Sequence, residues 1–188
     1  MRLRFFAVLI FGIMTCLAQS SDDVKELLKE LANPATTSNA ASRLIKVAHA
    51  YTESRKLISQ QLPTMLLQTR DVPVVQSEAK VAGALRLESA IPSLIQLLSW
   101  FNYDGNTTLS GMSQLKYDPV ARALYEIGGP ADPALSDALE SNDLETRRRV
   151  ASILVLRSTP ETKAILRKHL DKEPDSHLKN FIQLNLDK

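Results

Sequence analysis

The sequence predicts an all-α protein built from repeated pairs of helices. A tetrad of Ala, two variable residues and Leu recurs four times, beginning at Ala41, Ala82, Ala121 and Ala151. Apolar residues also recur at helical spacing, as at Val24, Leu27, Leu28 and Leu31. No run of alternating β-branched residues is long enough to predict a strand.

A second pattern follows each of the last three tetrads, at residues 91–98, 132–139 and 163–170. Its leucines correspond from copy to copy, at Leu94, Leu135 and Leu166. Two alternating patterns that repeat together are typical of a stacked helical array, in which each unit buries its apolar face against the next. The predicted architecture is therefore an α-solenoid of about four to five helix pairs.

Helix ends are marked by proline and glycine. Pro119, Pro133 and Pro160 each follow an Asp or Thr that is suited to cap the next helix, and Gly128-Gly129 is suited to end the helix before Pro133. The expected helices lie near 22–32, 37–51, 53–68, 73–87, 90–101, 118–128, 132–140, 143–157, 160–171 and 175–186. The first and last are expected to cap the stack, because each has a neighbour on one side only.

Residues 1–20 are predicted to be a secretory signal peptide. A basic start is followed by an uncharged apolar run and then by small polar residues, and cleavage is expected after Ala18 or after Ser20. The run is too short to span a membrane. An alternative is a lipoprotein signal that lipidates Cys16 and anchors the protein to a membrane. The mature chain, 21–188, is thus expected in the periplasm or outside the cell.

Removal of the signal peptide changes the composition. Without Arg2 and Arg4 the 23 basic residues fall to 21, equal to the 21 acidic ones, and the only cysteine is lost. A neutral chain without cysteine argues against a nucleic-acid binder, a disulfide scaffold, a thiol enzyme and a zinc–thiolate module.

Residues 102–117 interrupt the repeats with turn-forming Gly, Asn and Asp, and are predicted to form a surface insertion. Trp100, Phe101 and Tyr103 lie where the fifth helix meets this insertion. Trp100 is expected to close the core at a helix end. The alternative is that the three aromatic residues anchor a partner, since aromatic residues are enriched in interface hot spots. Asn106-Thr107-Thr108 matches a glycosylation acceptor, which has meaning only in a glycosylating host.

The two alternating patterns resemble HEAT repeats, most clearly from Glu78 to Leu170 and more faintly from Asp22 to Leu67. They are most similar to the compact repeats that also occur in phycobilisome lyases. The resemblance implies a right-handed α-solenoid whose second helices line a concave surface that holds another protein. By their phase opposite the leucines, the residues expected on that surface are Ser93, Gln96, Ser136, Asp137, Lys163 and Arg167.

Three histidines are the candidates for acid–base or metal chemistry. His49 is expected to be structural. His169 and His177, with Asp171, Glu173 and Asp175, could form a metal cluster, but most of these residues also suit the end of one helix and the start of the next. Asp175-Ser176-His177 contains the residue types of a hydrolase triad, although neighbours in sequence cannot form the required relay.

The only basic triplet, Arg147-Arg148-Arg149, has Glu140, Asp143 and Glu145 close by. We expect an exposed helix face with local ion pairs, because a neutral chain has no net charge to attract phosphate.

The sequence favours an exported, non-catalytic scaffold that binds another protein through its concave face or its insertion. No cofactor and no nucleic acid are expected. The alternative is an enzyme or enzyme-accessory subunit that uses a small ligand or a metal near His169 and His177.

Overall fold

The computed structural model describes residues 21–100, 115 and 117–186, so the predicted signal peptide and most of the predicted insertion lie outside the described residues. The described part contains helices and no strand, which confirms the all-α prediction. The helices are α1 (21–31), α2 (Thr37–Ala50), α3 (Thr52–Gln68), α4 (Val72–Ala84), α5 (Ile91–Leu97), α6 (Pro119–Ile127), α7 (Asp132–Ala138), α8 (Leu144–Arg157), α9 (Pro160–Leu170) and α10 (Ser176–Leu186). In this part of the chain, no helix is long and apolar enough to cross a membrane.

The helices from α2 onward form two layers. In the first layer α2, α4, α6 and α8 pack in succession, each against the next. In the second layer α3 packs against α5, and α5 against α7. The four Ala-x-x-Leu tetrads lie on the first-layer helices, and the second repeated pattern lies on α5, α7 and α9. Each repeated pattern therefore corresponds to a recurring place in the packing.

The core lies between the two layers. The corresponding leucines Leu94, Leu135 and Leu166 are each at most 1% exposed. Small residues bring first-layer helices close together. A Cβ added at Gly83 of α4 would lie 2.9 Å from the Cα of Ala123 in α6, so a glycine is required at this crossing.

Two of the three helix starts predicted at Asp-Pro and Thr-Pro are confirmed by hydrogen bonds. Asp118 accepts from the amide of Ala121 at 2.9 Å, and Thr159 forms a capping box with Thr162 at the start of α9. The prediction that Asp132 caps the helix at Pro133 is wrong. Asp132 is the first helical residue of α7, after a 3₁₀ turn over Gly129–Ala131, and its carboxylate pairs with Arg157 instead.

Three first-layer helices are followed by a residue with positive φ. Gly128 has φ +84°, as its predicted place at a helix end requires, and Arg86 and Ser158 each have φ +47°. When α4, α6 and α8 are aligned at these three residues, the residue of α4 that corresponds to Ala121 and Ala151 is Ala79 and not Ala82. The sequence-based alignment of that tetrad is therefore displaced by about one helical turn.

Candidate functional site

The residues predicted for the concave surface lie on the second layer, and their exposure differs. Ser93 is buried, and its hydroxyl donates to the carbonyl of Pro63 at 2.7 Å. That hydroxyl is used within the fold, so we leave Ser93 out of the candidate surface. Gln96, Asp137 and Arg167 are exposed, whereas Ser136 and Lys163 are half-buried.

Trp100 is half-buried against the core, and the guanidinium carbon of Arg70 lies 5.3 Å from the centre of its ring. This distance is within the range of a cation–π contact. Its predicted companions Phe101 and Tyr103, and the glycosylation-like Asn106, lie outside the described residues.

His169 lies in a buried hydrogen-bond network that also includes Arg147, a residue of a different helix. Its Nε2 is 2.7 Å from Glu173 Oε2, and Arg147 from α8 donates two hydrogen bonds to the Glu173 carboxylate, each of 3.0 Å. The amide of Asp175 donates to the same carboxylate at 2.8 Å. Burial alone raises the pKa of Glu173, but the bonds from Arg147, Asp175 and His169 outweigh it and lower this pKa to about 2.

This network differs from the metal cluster and the triad considered from the sequence. Both oxygens of Glu173 are occupied by protein donors, and His177 is exposed. Asp175 accepts from the amide of Leu178 at 2.8 Å at the start of α10. Within the described residues, no group of three or more His, Cys, Asp or Glu is arranged to hold a metal ion. His49, the third histidine, is exposed at the end of α2.

The prediction of an exposed arginine face at 147–149 is wrong for two of its three members. Arg147 is 7% exposed and Arg149 is 3% exposed, and only Arg148 is half-buried. The expected ion pairs do occur, but the main partners are distant in sequence, at Glu173 and Asp118. A positive charge that is buried and paired does not attract a phosphate backbone.

Arg149 connects the two sides of the insertion. Its guanidinium donates to the carbonyl of Leu98 at 2.6 Å and lies 3.4 Å from the carboxylate of Asp118. It also pairs with Glu145 at 3.1 Å. Burial raises the pKa of Asp118, and the charge of Arg149 and the amide of Ala121 oppose that rise. The helices before and after the insertion are therefore held by one side chain of α8.

Glu78 is a buried titratable residue that the sequence analysis did not single out. It is 1% exposed, its Oε2 has no hydrogen-bond partner, and burial raises its pKa to about 8. When the repeats are aligned at Arg86, Gly128 and Ser158, Glu78 occupies the position of Val120 and Val150. The correct alignment could have revealed this carboxyl as an exception to an apolar position.

A groove of about 930 Å³ runs along the turns that follow α4, α6 and α8, and we call it the turn groove. Its charged and aromatic lining residues are Arg55, Arg86, Glu88, Tyr125, Glu126 and Arg157, and the bare backbone of Gly128 and Gly129 lies between them. Since these residues come from separate segments of the chain, the groove exists only when the helices are packed together. None of the described residues that the sequence predicts for the site lines the turn groove.

Two arginines of the turn groove have no carboxylate partner. Arg157 pairs with Asp132, and Glu126 pairs with Arg122 at 2.8 Å. Arg55 donates to the carbonyl of Leu85 at 2.7 Å, next in sequence to Arg86. Neither Arg55 nor Arg86 has a carboxylate within 4.0 Å among the described residues. Because Arg55 is hydrogen-bonded to Leu85, the charges of Arg55 and Arg86 both lie at the turn that follows α4, and neither is paired with a carboxylate of the described residues.

Arg86 is also conformationally strained. Its φ of +47° lies in the left-handed region, as does that of Ser158 in the turn after α8. A long β-carbon-bearing side chain at such a position costs free energy that glycine would avoid, and residues of this kind are concentrated at functional sites.

In comparisons with known proteins, no family model, no curated protein and no solved structure matches the chain.

Proposed function

We propose that this chain is an exported, non-catalytic α-solenoid of the HEAT-like kind, and that it binds another protein in the turn groove. The export follows from the sequence of residues 1–20. The solenoid is supported by the succession of first-layer contacts and by the burial of equivalent leucines in successive repeats.

The turn groove carries this proposal. It crosses the turns of three successive first-layer helices and is lined by polar side chains and exposed backbone. Pockets for small molecules are usually enclosed and mostly apolar. An open groove that crosses several turns and has exposed hydrogen-bonding groups is better suited to a segment of polypeptide, which can be bound along its length.

The enzyme alternative at His169 and His177 has weaker support. His169 is 4% exposed, and the Glu173 carboxylate beside it is occupied by Arg147. The Nε2 side of the imidazole is thus occupied, and Nδ1 is buried 3.6 Å from the Glu140 carboxylate. A thermal-shift series with Zn²⁺, Mn²⁺ and Ca²⁺ tests this alternative, and we expect no stabilisation by any of them.

Site-specific photocrosslinking in the native host tests the proposed function. A crosslinking residue is placed at Arg86 in the turn groove, at Gln96 on the second layer, or at exposed Lys46 on α2 as the control. We expect one defined protein adduct from position 86 and none from position 46. An adduct from position 96 alone would move the binding site to the second layer. No adduct from either position 86 or 96 would refute the proposal.

A further inference from the structure

We infer that the turn groove binds an acidic, extended segment of its partner, with Arg86 as the main recognition residue. This inference rests on the proposed function and specifies the chemistry of the bound segment. It depends on two independent observations of Arg86, its lack of a carboxylate partner and its strained backbone.

The first argument is the charge of the turn groove. Arg157 and Glu126 are neutralised by Asp132 and Arg122. The remaining lining charges are Arg55 and Arg86, opposed by Glu88. The groove therefore keeps an excess of positive charge although the mature chain is neutral. The guanidinium group matches a carboxylate with two parallel hydrogen bonds, so a carboxylate of the partner satisfies it best.

The second argument compares the arginines of the described residues. Most of them pair with a carboxylate of the protein, whereas Arg55, Arg70, Arg86 and Arg167 do not. Arg70 instead lies over the ring of Trp100. Arg55 and Arg86 are the two that line the turn groove, and Arg167 is exposed on α9. Two arginines in one groove are able to bind one acidic segment at two points.

The third argument is the strain at Arg86. The turn after α8 has the same φ of +47° at Ser158, so this backbone conformation does not itself require an arginine. Arg86 lines the turn groove and Ser158 does not, and this distinguishes the α4 turn from the α8 turn.

Fluorescence anisotropy with a labelled oligoglutamate peptide tests the inference, with oligoglutamine and oligolysine peptides of equal length as comparisons. We expect binding of the glutamate peptide that weakens with added salt, and at least tenfold weaker binding of the other two peptides. Arg86→Gln should weaken glutamate-peptide binding by about tenfold, the loss of one charge-assisted pair. Glu88→Gln should strengthen it, because the opposing charge is removed. Lys46→Gln, the control with an exposed basic residue outside the groove, should change nothing.

Further variants and ligands decide the remaining outcomes. Arg86→Gly should raise the midpoint of thermal unfolding and yet weaken binding of the glutamate peptide. An arginine with a purely structural role would not produce this combination. Equal effects of Arg86→Gln and Lys46→Gln would overturn the inference, since they would indicate nonspecific attraction. Tighter binding of a single-stranded DNA oligonucleotide, lost in Arg86→Gln, would replace the acidic peptide with nucleic acid. A positive crosslink at position 86 without glutamate-peptide binding would leave the proposed function intact and reject only the acidic segment.

Discussion

The guanidinium of Arg149 lies 2.6 Å from the carbonyl oxygen of Leu98, so a buried side chain of α8 holds the residue that closes α5 just before the insertion. The same group pairs with Asp118, the cap of α6. One side chain of α8 therefore holds both the end of α5 and the start of α6, on either side of the predicted insertion.

Replacement of Arg149 by Met should strongly destabilise the protein. It leaves the Asp118 carboxylate and the Leu98 carbonyl buried without their partner, a loss that typically costs about 3–5 kcal/mol. Arg148→Met is the matched control, because Arg148 is half-buried and its nearest carboxylate is 3.8 Å away; less than about 1 kcal/mol is expected there. Urea unfolding measures the free energy of unfolding of both variants. Similar losses of stability in the two variants would contradict the anchoring role of Arg149.

The Arg147–Glu173 pair should make the fold sensitive to acid. The pKa of Glu173 is lowered from 4.5 to about 2, so its stabilising contribution is present above pH 4.5 and is lost as the pH falls toward 2. A shift of this size corresponds to about 3 kcal/mol. Combined replacement by Arg147→Met and Glu173→Gln should remove this pH dependence.

Arg147→Met alone should be the less stable variant at neutral pH, because it leaves the Glu173 charge buried without its strongest donor. Denaturant unfolding at several pH values compares the variants. An unchanged slope between pH 4.5 and 2 in the double variant would show that other carboxylates cause the acid sensitivity.

Glu78 should have the opposite pH effect. Its pKa is raised from 4.5 to about 8, so the folded protein holds a proton that the unfolded chain releases, and stability falls as the pH rises from 4.5 to 8. Glu78→Val, which copies Val120 and Val150, should be more stable by a few kcal/mol at pH 8 and by less at pH 4.5.

The exposed Glu53 on α3 provides the control for this prediction. Glu53→Val should leave the pH dependence of stability unchanged. Calorimetry at pH 4.5 and pH 8 distinguishes the two variants, and an equal gain for Glu78→Val at both pH values would show that Glu78 does not titrate in this range.

Gly83 should tolerate no side chain at the crossing of α4 and α6. Its added Cβ would meet Ala123 Cα at 2.9 Å, and that atom belongs to backbone that cannot move by itself. Gly83→Ala should therefore cost about 1–3 kcal/mol through overpacking. Gly129→Ala is the control, since its nearest neighbour is the end of the Arg157 side chain at 3.9 Å. A neutral Gly83→Ala in thermal unfolding would mean that the helices can separate without cost.

The sequence by itself determined the helices, their order and most of their ends. Hydrophobic periodicity and local capping, such as Asp118 with Ala121 and Thr159 with Thr162, depend on residues three or four positions apart, so they can be read along the chain. The burial of Leu94, Leu135 and Leu166 also followed from their repetition.

Only the tertiary structure decided which charges are buried and where a concavity forms. Arg147, Arg148 and Arg149 are neighbours in sequence, yet Arg147 and Arg149 are buried because their partners, Glu173 and Leu98, arrive from distant segments. The turn groove likewise needs turns from separate repeats side by side. Local preference sets a helix, but the burial of a charge depends on a partner that only packing can bring within hydrogen-bonding distance.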